Sequence, residues 1–220
     1  MNQYAKILSH VDHTLLASNS TGEEIKKIAD EGLRYETASI CIPPTFVALA
    51  AKYLGGRLPV CTVIGFPTGY HATAVKVAET AQAVADGADE IDMGIDIGAV
   101  KEGRFDFTLA EIKAVRAACE GKILKVIIET CLLTTEEKIK LTEVVSESGA
   151  DYIKTSTGFS TAGATPEDVK IFAEHRKNGL KIKAAGGIKT FADAEEFLAL
   201  GAERLGTSRI VKLVQAEEAK

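Results

Sequence analysis

The sequence lacks any apolar run that approaches the roughly 20 residues of a membrane-spanning helix. It also lacks a basic start followed by an apolar stretch, so no signal peptide is predicted. The net charge is −5 and acidic residues are spread along the chain, which argues against the basic surface of a nucleic-acid-binding protein. These absences predict a cytoplasmic protein that binds neither membranes nor nucleic acid. A local site for a small anion remains compatible with an acidic chain.

Cysteine is scarce as well. The four cysteines form no C-x-x-C pair, and their spacings match no zinc framework. We interpret Cys41, Cys61, Cys119 and Cys131 as free thiols in a reducing compartment. Hydrophobic residues make up 46% of the chain and charged residues 26%, so the composition predicts a sizeable core and excludes a disordered chain.

Short apolar segments alternate with longer amphipathic ones along the whole chain. Strands are predicted at Val11–Thr14, Thr37–Ile42, Pro59–Ile64, Asp89–Met93, Ile123–Glu129, Asp151–Thr155, Lys181–Ala184 and Glu203–Leu205. Helices are predicted at Thr21–Glu31, Pro44–Leu54, Ala72–Asp86, Phe107–Cys119, Thr134–Ser148, Pro166–Lys177 and Phe191–Leu200. Alternation of this kind indicates a parallel sheet whose strands are connected by helices.

A short motif recurs where a predicted helix gives way to a strand. It reads Gly87-Ala88-Asp89, Gly149-Ala150-Asp151 and Gly201-Ala202-Glu203, and glycine is typical of a helix end. The G-x-G-x-x-G turn of a doubly wound sheet is missing. We therefore predict an α/β fold, a (β/α)8 TIM barrel with an N-terminal helical segment, in which residues 1–220 form a single catalytic domain.

Charged side chains are unexpected on barrel strands, because branched apolar residues normally fill the interior. On the sixth predicted strand, alternation places Tyr152 and Lys154 on the face opposite Ile153. Two interpretations of Lys154 follow from this strand alone: an amine inside the barrel mouth, or a side chain that extends to solvent. The small residues that follow, Ser156-Thr157-Gly158, favour a pocket at the mouth.

Lys183 lies in the same phase on the next strand, about 4.8 Å across the sheet. Two charges about 4 Å apart repel by about 4 kcal/mol at an effective dielectric constant near 20, equivalent to roughly 3 pKa units. We expect this repulsion to favour a neutral, nucleophilic amine. Asp92 near the mouth could move protons or pair with a barrel lysine, and the two roles are compatible. We interpret the deeper Glu90 as structural, paired with Lys181.

Glycine-rich turns follow the seventh and eighth strands, where barrels often bind phosphate. They are Ala185-Gly186-Gly187 and Gly206-Thr207-Ser208, and the second is predicted to open the last helix. Glycine lets backbone amides approach an anion closely, and a helix N-terminus adds unpaired N–H groups. The two turns together predict a phosphate site.

The segment Asp151–Gly158, DYIKTSTG, resembles the Schiff-base lysine segment of the deoxyribose-phosphate aldolase family. Further segments resemble family motifs in the same order over nearly the whole chain: Val11–Leu15, Ile64–Pro67, Glu90–Met93, Lys183–Ile188 and Arg204–Ser208. The sequence departs from the family pattern at Pro43, Gly94, Asp96 and Arg209. We expect these departures to affect substrate preference and not the lysine chemistry.

The resemblance implies a class I aldolase that reversibly cleaves 2-deoxy-D-ribose 5-phosphate to D-glyceraldehyde 3-phosphate and acetaldehyde, in deoxyribonucleotide catabolism, with no metal and no organic cofactor. It implies that Lys154 forms the imine and that Lys183 lowers the pKa of Lys154. Asp92 would move protons through ordered water, supported by Asp12. The residues implied around the substrate, mostly at its phosphate, are Thr14, Thr155, Gly186, Gly187, Gly206, Thr207 and Ser208.

Two alternatives stay open. Another class I phosphosugar aldolase, with a longer ketose donor, would share the imine lysine and the phosphate loops. A non-catalytic phosphosugar-binding barrel would need only the loops, and the combination of Lys154, Lys183 and Asp92 argues against it. The expected partner is a phosphosugar, and a homo-oligomer, either a dimer or a tetramer, is compatible with each alternative.

Overall fold

The computed structural model describes residues 4–220, and in this range the strands close into a parallel barrel in the order β1 to β8. The strands are β1 Val11–Thr14, β2 Ser39–Ile42, β3 Val60–Ile64, β4 Glu90–Gly94, β5 Ile123–Ile127, β6 Tyr152–Lys154, β7 Lys181–Ala185 and β8 Arg204–Thr207. Each pairs with its sequence neighbours, and β8 closes the barrel on β1. The predicted (β/α)8 barrel is therefore confirmed.

Helices surround the barrel and connect its strands. They are α1 Ala5–Leu8, α2 Gly22–Tyr35, α3 Val47–Leu54, α4 Thr73–Ala85, α5 Ile97–Lys101, α6 Phe105–Ala118, α7 Thr135–Glu147, α8 Pro166–His175, α9 Phe191–Ala199 and α10 Ile210–Glu218. The predicted N-terminal helical segment corresponds to α1, while residues 1–3 lie outside the described range. Within residues 4–220, no helix combines the length and the hydropathy that a bilayer crossing requires.

Local signals fix where the helices start and stop. Four helices begin with a capping box, in which a threonine hydroxyl accepts from a backbone N–H and an acidic side chain reaches back to the threonine N–H. The three glycines of the recurring motif, Gly87, Gly149 and Gly201, all have positive φ angles, as predicted for helix ends. One helix was missed: α5 has only five residues, and Asp96 caps it by accepting from the Ala99 N–H at 3.2 Å.

The main core lies between the barrel and its helices. Outward-facing strand residues such as Ile91, Val126, Ile153 and Ile182 are fully buried there. Burying a side chain of this size stabilises the fold by about 1.5–3 kcal/mol. Because alternate residues of each strand point into the barrel, the residues between these apolar positions fill its interior. Many of those interior residues are charged, and they form the site.

Candidate active site

Charged side chains from six strands meet inside the barrel. They are Asp12, Glu90, Asp92, Lys125, Lys154, Lys183 and Arg204, all at most 9% exposed. The strand registers pair several of them as direct neighbours, with Asp92 beside Lys125 and Lys183 beside both Lys154 and Arg204. The charges balance closely, since four cations face three carboxylates. Ion pairs are the means by which buried charges are tolerated.

Lys154 lies at the upper end of this cluster and is only 3% exposed, so its interpretation as a side chain that extends to solvent is wrong. Its Nζ donates to Asp92 Oδ2 at 2.7 Å, and Lys183 Nζ donates to the same oxygen at 2.6 Å. The register Lys154 beside Lys183 matches the sequence-based expectation. The two lysine nitrogen atoms do not form an unscreened pair of like charges, however, because the Asp92 carboxylate binds both of them.

Asp12 anchors the opposite side of Lys183. Its carboxylate accepts from Lys183 at 2.5 Å, from Arg204 at 2.5 Å and from the Ser39 hydroxyl at 2.7 Å. Burial opposes ionisation of Asp12, but the charges of Lys183, Lys125 and Arg204 outweigh burial and hold its pKa well below the usual range. Asp12 is therefore a carboxylate throughout the neutral range.

The charges of Lys183 and Asp92 are set by the same balance between burial and ion pairing. Burial favours a neutral Lys183, yet its contacts with Asp12 and Asp92 raise its pKa well above the usual range. Burial likewise favours a protonated Asp92, yet Lys125, Lys154 and Lys183 lower its pKa. Lys183 is consequently a fixed cation beside Lys154, with one shared carboxylate oxygen between them.

Lys125 is the functional residue that sequence reasoning missed. It is fully buried, and its Nζ lies 2.6 Å from Glu90 Oε2 and 2.8 Å from Asp92 Oδ1. The predicted pairing of Glu90 with Lys181 is wrong, because Lys181 is exposed at the start of β7 and Glu90 binds Lys125 and Arg204 instead. A signal was present: Lys125 is the one charged residue in the apolar strand ILKVI.

Two cysteines also reach the cluster, which their sequence spacing did not predict. Cys61 donates to Asp92 Oδ1 at 3.2 Å and accepts from Lys125 at 3.2 Å. Cys41 is its register partner on β2, and its interaction with the Cys61 side chain, opposed by burial, lowers the pKa of Cys41. Burial raises the pKa of Cys61. Both thiols are free.

A cavity of about 510 Å³ opens above Lys154 at the carboxyl ends of the strands. Its wall includes most of the residues predicted to bind substrate: Thr14, Lys154, Gly186, Gly187, Gly206, Thr207 and Ser208. Arg209, which could either add positive charge near a phosphate or face solvent, lines it too, as do two lysines that sequence reasoning missed, Lys189 and Lys212. The cavity thus joins an amine at one end to positive charge and backbone amides at the other.

Thr155 is the predicted substrate residue that the structure places elsewhere. It is fully buried, and its hydroxyl donates to the Ala185 carbonyl at 3.2 Å and accepts from the Ala185 N–H at 3.1 Å. The reason is its phase, since Thr155 follows Lys154 directly and so points away from the barrel interior. Its contacts hold β6 against β7 beneath the cavity.

The glycine turns have the geometry that an anion site needs. Gly186 and Gly187 both have positive φ angles, near 77° and 79°. A Cβ on Gly206 would lie 2.9 Å from the Ala185 Cβ, so only glycine fits beside the lysine strand. Thr207 accepts from the Arg209 N–H at 3.0 Å, just before α10 begins. Ser208 and Arg209, which directly precede α10, line the cavity, so the N-terminus of this helix lies at this end of it.

Two of the four departures from the family pattern line cavities at this mouth. Arg209 lines the main cavity, and Gly94 lines a neighbouring cavity of about 230 Å³. A Cβ on Gly94 would lie 3.0 Å from the Gly65 carbonyl oxygen, so Gly94 lets the loop after β3 pack closely. Pro43 precedes the 3-10 turn Pro44–Phe46, and Asp96 is the cap of α5.

These charges predict the pH dependence of stability. The lowered pKa of Asp12 contributes stability that is complete above its unfolded value, near 4, and is lost as the pH falls toward the folded value. The raised pKa of Lys183 contributes stability that is complete below about pH 10 and is lost only above it. Urea unfolding should give a level free energy between about pH 7 and 8, with a steep fall below about pH 4. A protein most stable at pH 3 would contradict this assignment of charges.

The fold and the site define a class of protein: a (β/α)8 barrel enzyme with a buried, carboxylate-bound lysine under a glycine-lined cavity, as in lysine-dependent aldolases. The chain belongs to the DeoC/LacD family of aldolases, whose family model matches residues 6–204. It is 59% identical over 214 residues to deoxyribose-phosphate aldolase from Streptococcus pyogenes serotype M4, covering 97% of this chain and 96% of that one.

Solved structures agree with this assignment. The aldolase QR15 superimposes with a TM-score of 0.92 at 35% identity, covering 97% of this chain and 96% of its own. A tetrameric deoxyribose phosphate aldolase from Aeropyrum pernix superimposes with a TM-score of 0.89 at 28% identity, covering 100% of this chain and 94% of its own.

Proposed function

We propose that this chain reversibly cleaves 2-deoxy-D-ribose 5-phosphate to D-glyceraldehyde 3-phosphate and acetaldehyde through a Schiff base on Lys154. The observation that carries the proposal is the position of Lys154 Nζ, which lies at the floor of the cavity and donates to Asp92 at 2.7 Å. The Streptococcus pyogenes relative, 59% identical, is named for this activity. Together they support an amine nucleophile and a five-carbon phosphosugar substrate.

The reaction begins when the neutral amine of Lys154 attacks the aldehyde carbon C1 and water leaves. The protonated imine that results is a better electron sink than the aldehyde. A base then takes the proton of the 3-hydroxyl, the C2–C3 bond breaks, and its electron pair forms an enamine on Lys154. Protonation of the enamine at C2 and hydrolysis by water release acetaldehyde and restore the amine.

Asp92 is the group we assign to these proton transfers, acting through water. It is the carboxylate that contacts the Lys154 amine, and Lys183 and Lys125 hold it in place from the other sides. Lys183 stays positively charged because Asp12 and Asp92 both bind it. Lys183 therefore places a fixed positive charge next to Lys154, on the far side of the Asp92 oxygen that both lysines contact.

The phosphate is assigned to the opposite end of the cavity. Gly186, Gly187 and Gly206 leave backbone amides accessible there, and the N-terminus of α10 adds N–H groups. Lys189, Arg209 and Lys212 supply positive charge. We assign phosphate binding to this end of the cavity and the covalent chemistry to Lys154.

Arg209 is expected to contribute to phosphate binding and not to chemistry. Arg209→Met should raise the KM for deoxyribose 5-phosphate by roughly 10-fold, the effect of one lost charge-assisted contact at an exposed position, with little change in kcat. Turnover of unphosphorylated deoxyribose should be unchanged. Arg57→Met, at a remote surface position, is the matched control, and equal KM values for the two variants would show that Arg209 faces solvent.

Comparing substrates tests the proposal against its main alternative. An aldolase with a longer ketose donor would also use Lys154 and the phosphate end of the cavity. We expect cleavage of deoxyribose 5-phosphate to exceed cleavage of fructose 1,6-bisphosphate by orders of magnitude in kcat/KM, measured by a coupled assay for the triose phosphate. A preference for the bisphosphate would overturn the proposed substrate, and no turnover of either would favour a binding protein.

We further propose that residues 1–220 act as a single catalytic domain, in the cytoplasm, as a homo-oligomer. The free thiols of Cys41, Cys61, Cys119 and Cys131 suit a reducing compartment. The Aeropyrum pernix relative, at 28% identity, is tetrameric, which supports a dimer or tetramer for this chain. Light scattering after size-exclusion chromatography tests the assembly, and a mass near 23.4 kDa would show a monomer.

A further inference from the structure

The proposed reaction leaves one cluster of reactive side chains without a role. Cys41 and Cys61 are direct register partners on β2 and β3 and both point into the barrel. They are at most 1% exposed. Neither forms the imine or lines the cavity, yet Cys61 donates to Asp92 Oδ1 at 3.2 Å.

We propose that Cys41, Cys61 and Asp92 form a binding site for a thiophilic divalent cation such as Zn²⁺, and that occupation of this site inhibits the enzyme. The two sulfur atoms and a carboxylate oxygen of Asp92 all lie within 4.8 Å of one another. Ligands at about 2.3 Å from a tetrahedral zinc ion lie about 3.8 Å apart, so small side-chain movements bring the three donors to that geometry. Three protein ligands leave a fourth position for water.

The charge balance of the cluster permits a dication to bind if two protons leave. Four cations already face three carboxylates, so an added dication would be unfavourable unless other charges left. Binding to the two thiols releases their two protons as two metal–sulfur bonds form. The exchange of two protons for one dication leaves the net charge of the cluster unchanged, and thiolates are the ligands that soft cations prefer.

A second group of donors shares Cys61 but is less suited to a metal. Asp12 and Glu90 lie within the same limit of Cys61. Both carboxylates are bound by Arg204, at 2.5 and 2.8 Å, and a metal would have to displace that guanidinium. The group with two thiols does not contact Arg204. A metal there would replace the two Lys125 contacts, with Asp92 Oδ1 and Cys61, and the hydrogen bond from Cys61 to Asp92.

Access to the thiols runs through movable side chains. Leu16 and Phe66 pack against Cys41 and Cys61, and Leu16 also lines the main cavity. Phe66 contacts Phe159, whose ring is 55% exposed, edge to face at 5.2 Å. A cation entering from the cavity needs only these side chains to shift, so slow binding is expected.

Metal binding would inhibit the enzyme because it would take the carboxylate of Asp92 away from its partners in the active site. Its Oδ1 would bind the metal, and the carboxylate would be drawn from Lys154 and Lys183, which share Oδ2. An Asp92 carboxylate held by a dication is also a weaker base. The metal therefore removes the group that we assign to proton transfer without occupying the phosphate end of the cavity.

Cadmium is the probe that tests the site, because a Cd²⁺–thiolate bond absorbs in the ultraviolet. After long incubation, the wild-type protein should bind one Cd²⁺ per chain at this site, with thiolate absorption, release of about two protons, and reversal by EDTA. Zn²⁺ should compete. Cys61→Ser and Cys41→Ser should each weaken binding by about 100-fold or more, while Cys119→Ser and Cys131→Ser should bind as the wild type does.

Each outcome decides the proposal. Unchanged binding in both the Cys41 and Cys61 variants, or none in the wild type, would overturn it. If the thiol signal is lost, and dithiothreitol restores it but EDTA does not, the two cysteines have formed a disulfide and not a metal site. Because binding is measured without substrate, the result does not depend on the proposed reaction. The rate with and without Cd²⁺, compared within each variant, then tests inhibition.

Discussion

Lys154→Leu is expected to lower the rate of deoxyribose 5-phosphate cleavage by about 10⁴-fold or more, because no other group can form the imine. Lys183 is the nearest amine, but Asp12 and Asp92 hold it as a cation at 2.5 and 2.6 Å. The fold should survive, since Asp92 keeps Lys183 and Lys125 as partners. A coupled assay for the triose phosphate, with circular dichroism to check folding, measures the effect.

Two variants separate the loss of the amine from the loss of charge. Lys154→Arg keeps a cation beside Asp92 but cannot form an imine, so it should be as inactive as Lys154→Leu. Lys181→Leu removes an exposed lysine from the neighbouring strand and should retain nearly full activity. Activity above a few per cent of wild type in either Lys154 variant would show that another nucleophile does the chemistry.

Asp12→Asn is expected to destabilise the protein by about 3–5 kcal/mol, the cost of removing one partner from a buried charge network. The substitution leaves four buried cations facing two carboxylates. Lys183 and Arg204 lose the negative charge that they share, and the amide nitrogen that replaces one carboxylate oxygen can no longer accept from either of them. Urea unfolding at pH 7 measures the change in free energy, and Asp30→Asn, a surface carboxylate, is the control.

A double-mutant cycle shows whether charge imbalance is the cause. Arg204→Met removes one of the three cations that pair with Asp12, so adding it to Asp12→Asn should cost less than it does in the wild-type chain. The remaining Glu90 keeps Lys125, at 2.6 Å. Strictly additive costs would mean that Asp12 stabilises the barrel by packing or hydrogen bonding alone.

Much of the fold could be predicted because the signals are local. Period-2 apolar segments, capping threonines and the glycines at helix ends each act within a few residues. The pairing of Lys154 with Lys183 was also within reach, because the two strands are consecutive and alternation sets which face each lysine occupies. Neighbouring strands in a βα barrel lie side by side, so sequence order gives spatial order.

Contacts across the barrel interior could not be predicted in the same way. Asp12 on β1 meets Lys183 on β7, and Glu90 on β4 meets Arg204 on β8, at distances that depend on how the closed barrel is staggered. The failed pairing of Glu90 with Lys181 has this origin. Only knowledge of the closed structure places a residue relative to a strand it does not adjoin.

Strand alternation and strand order alone predict the positions of two further residues. Thr155 follows Lys154, so alternation alone puts it on the outer face, and the family resemblance should not have overridden that. Lys125 is in phase with Asp92 on the adjoining strand, as Lys183 is with Lys154. Strand order and alternation therefore predict Lys125 inside the barrel as they predict Lys183.

Reductive trapping tests the central claim most directly. The protein is incubated with deoxyribose 5-phosphate or acetaldehyde and sodium borohydride, digested, and analysed by mass spectrometry. The account predicts one modified lysine, Lys154, carrying an ethyl group once acetaldehyde's imine is reduced, and no adduct in Lys154→Leu. Modification of Lys183 or Lys125 in its place, or turnover with no trapped lysine, would contradict the assignment of Lys154 as the nucleophile.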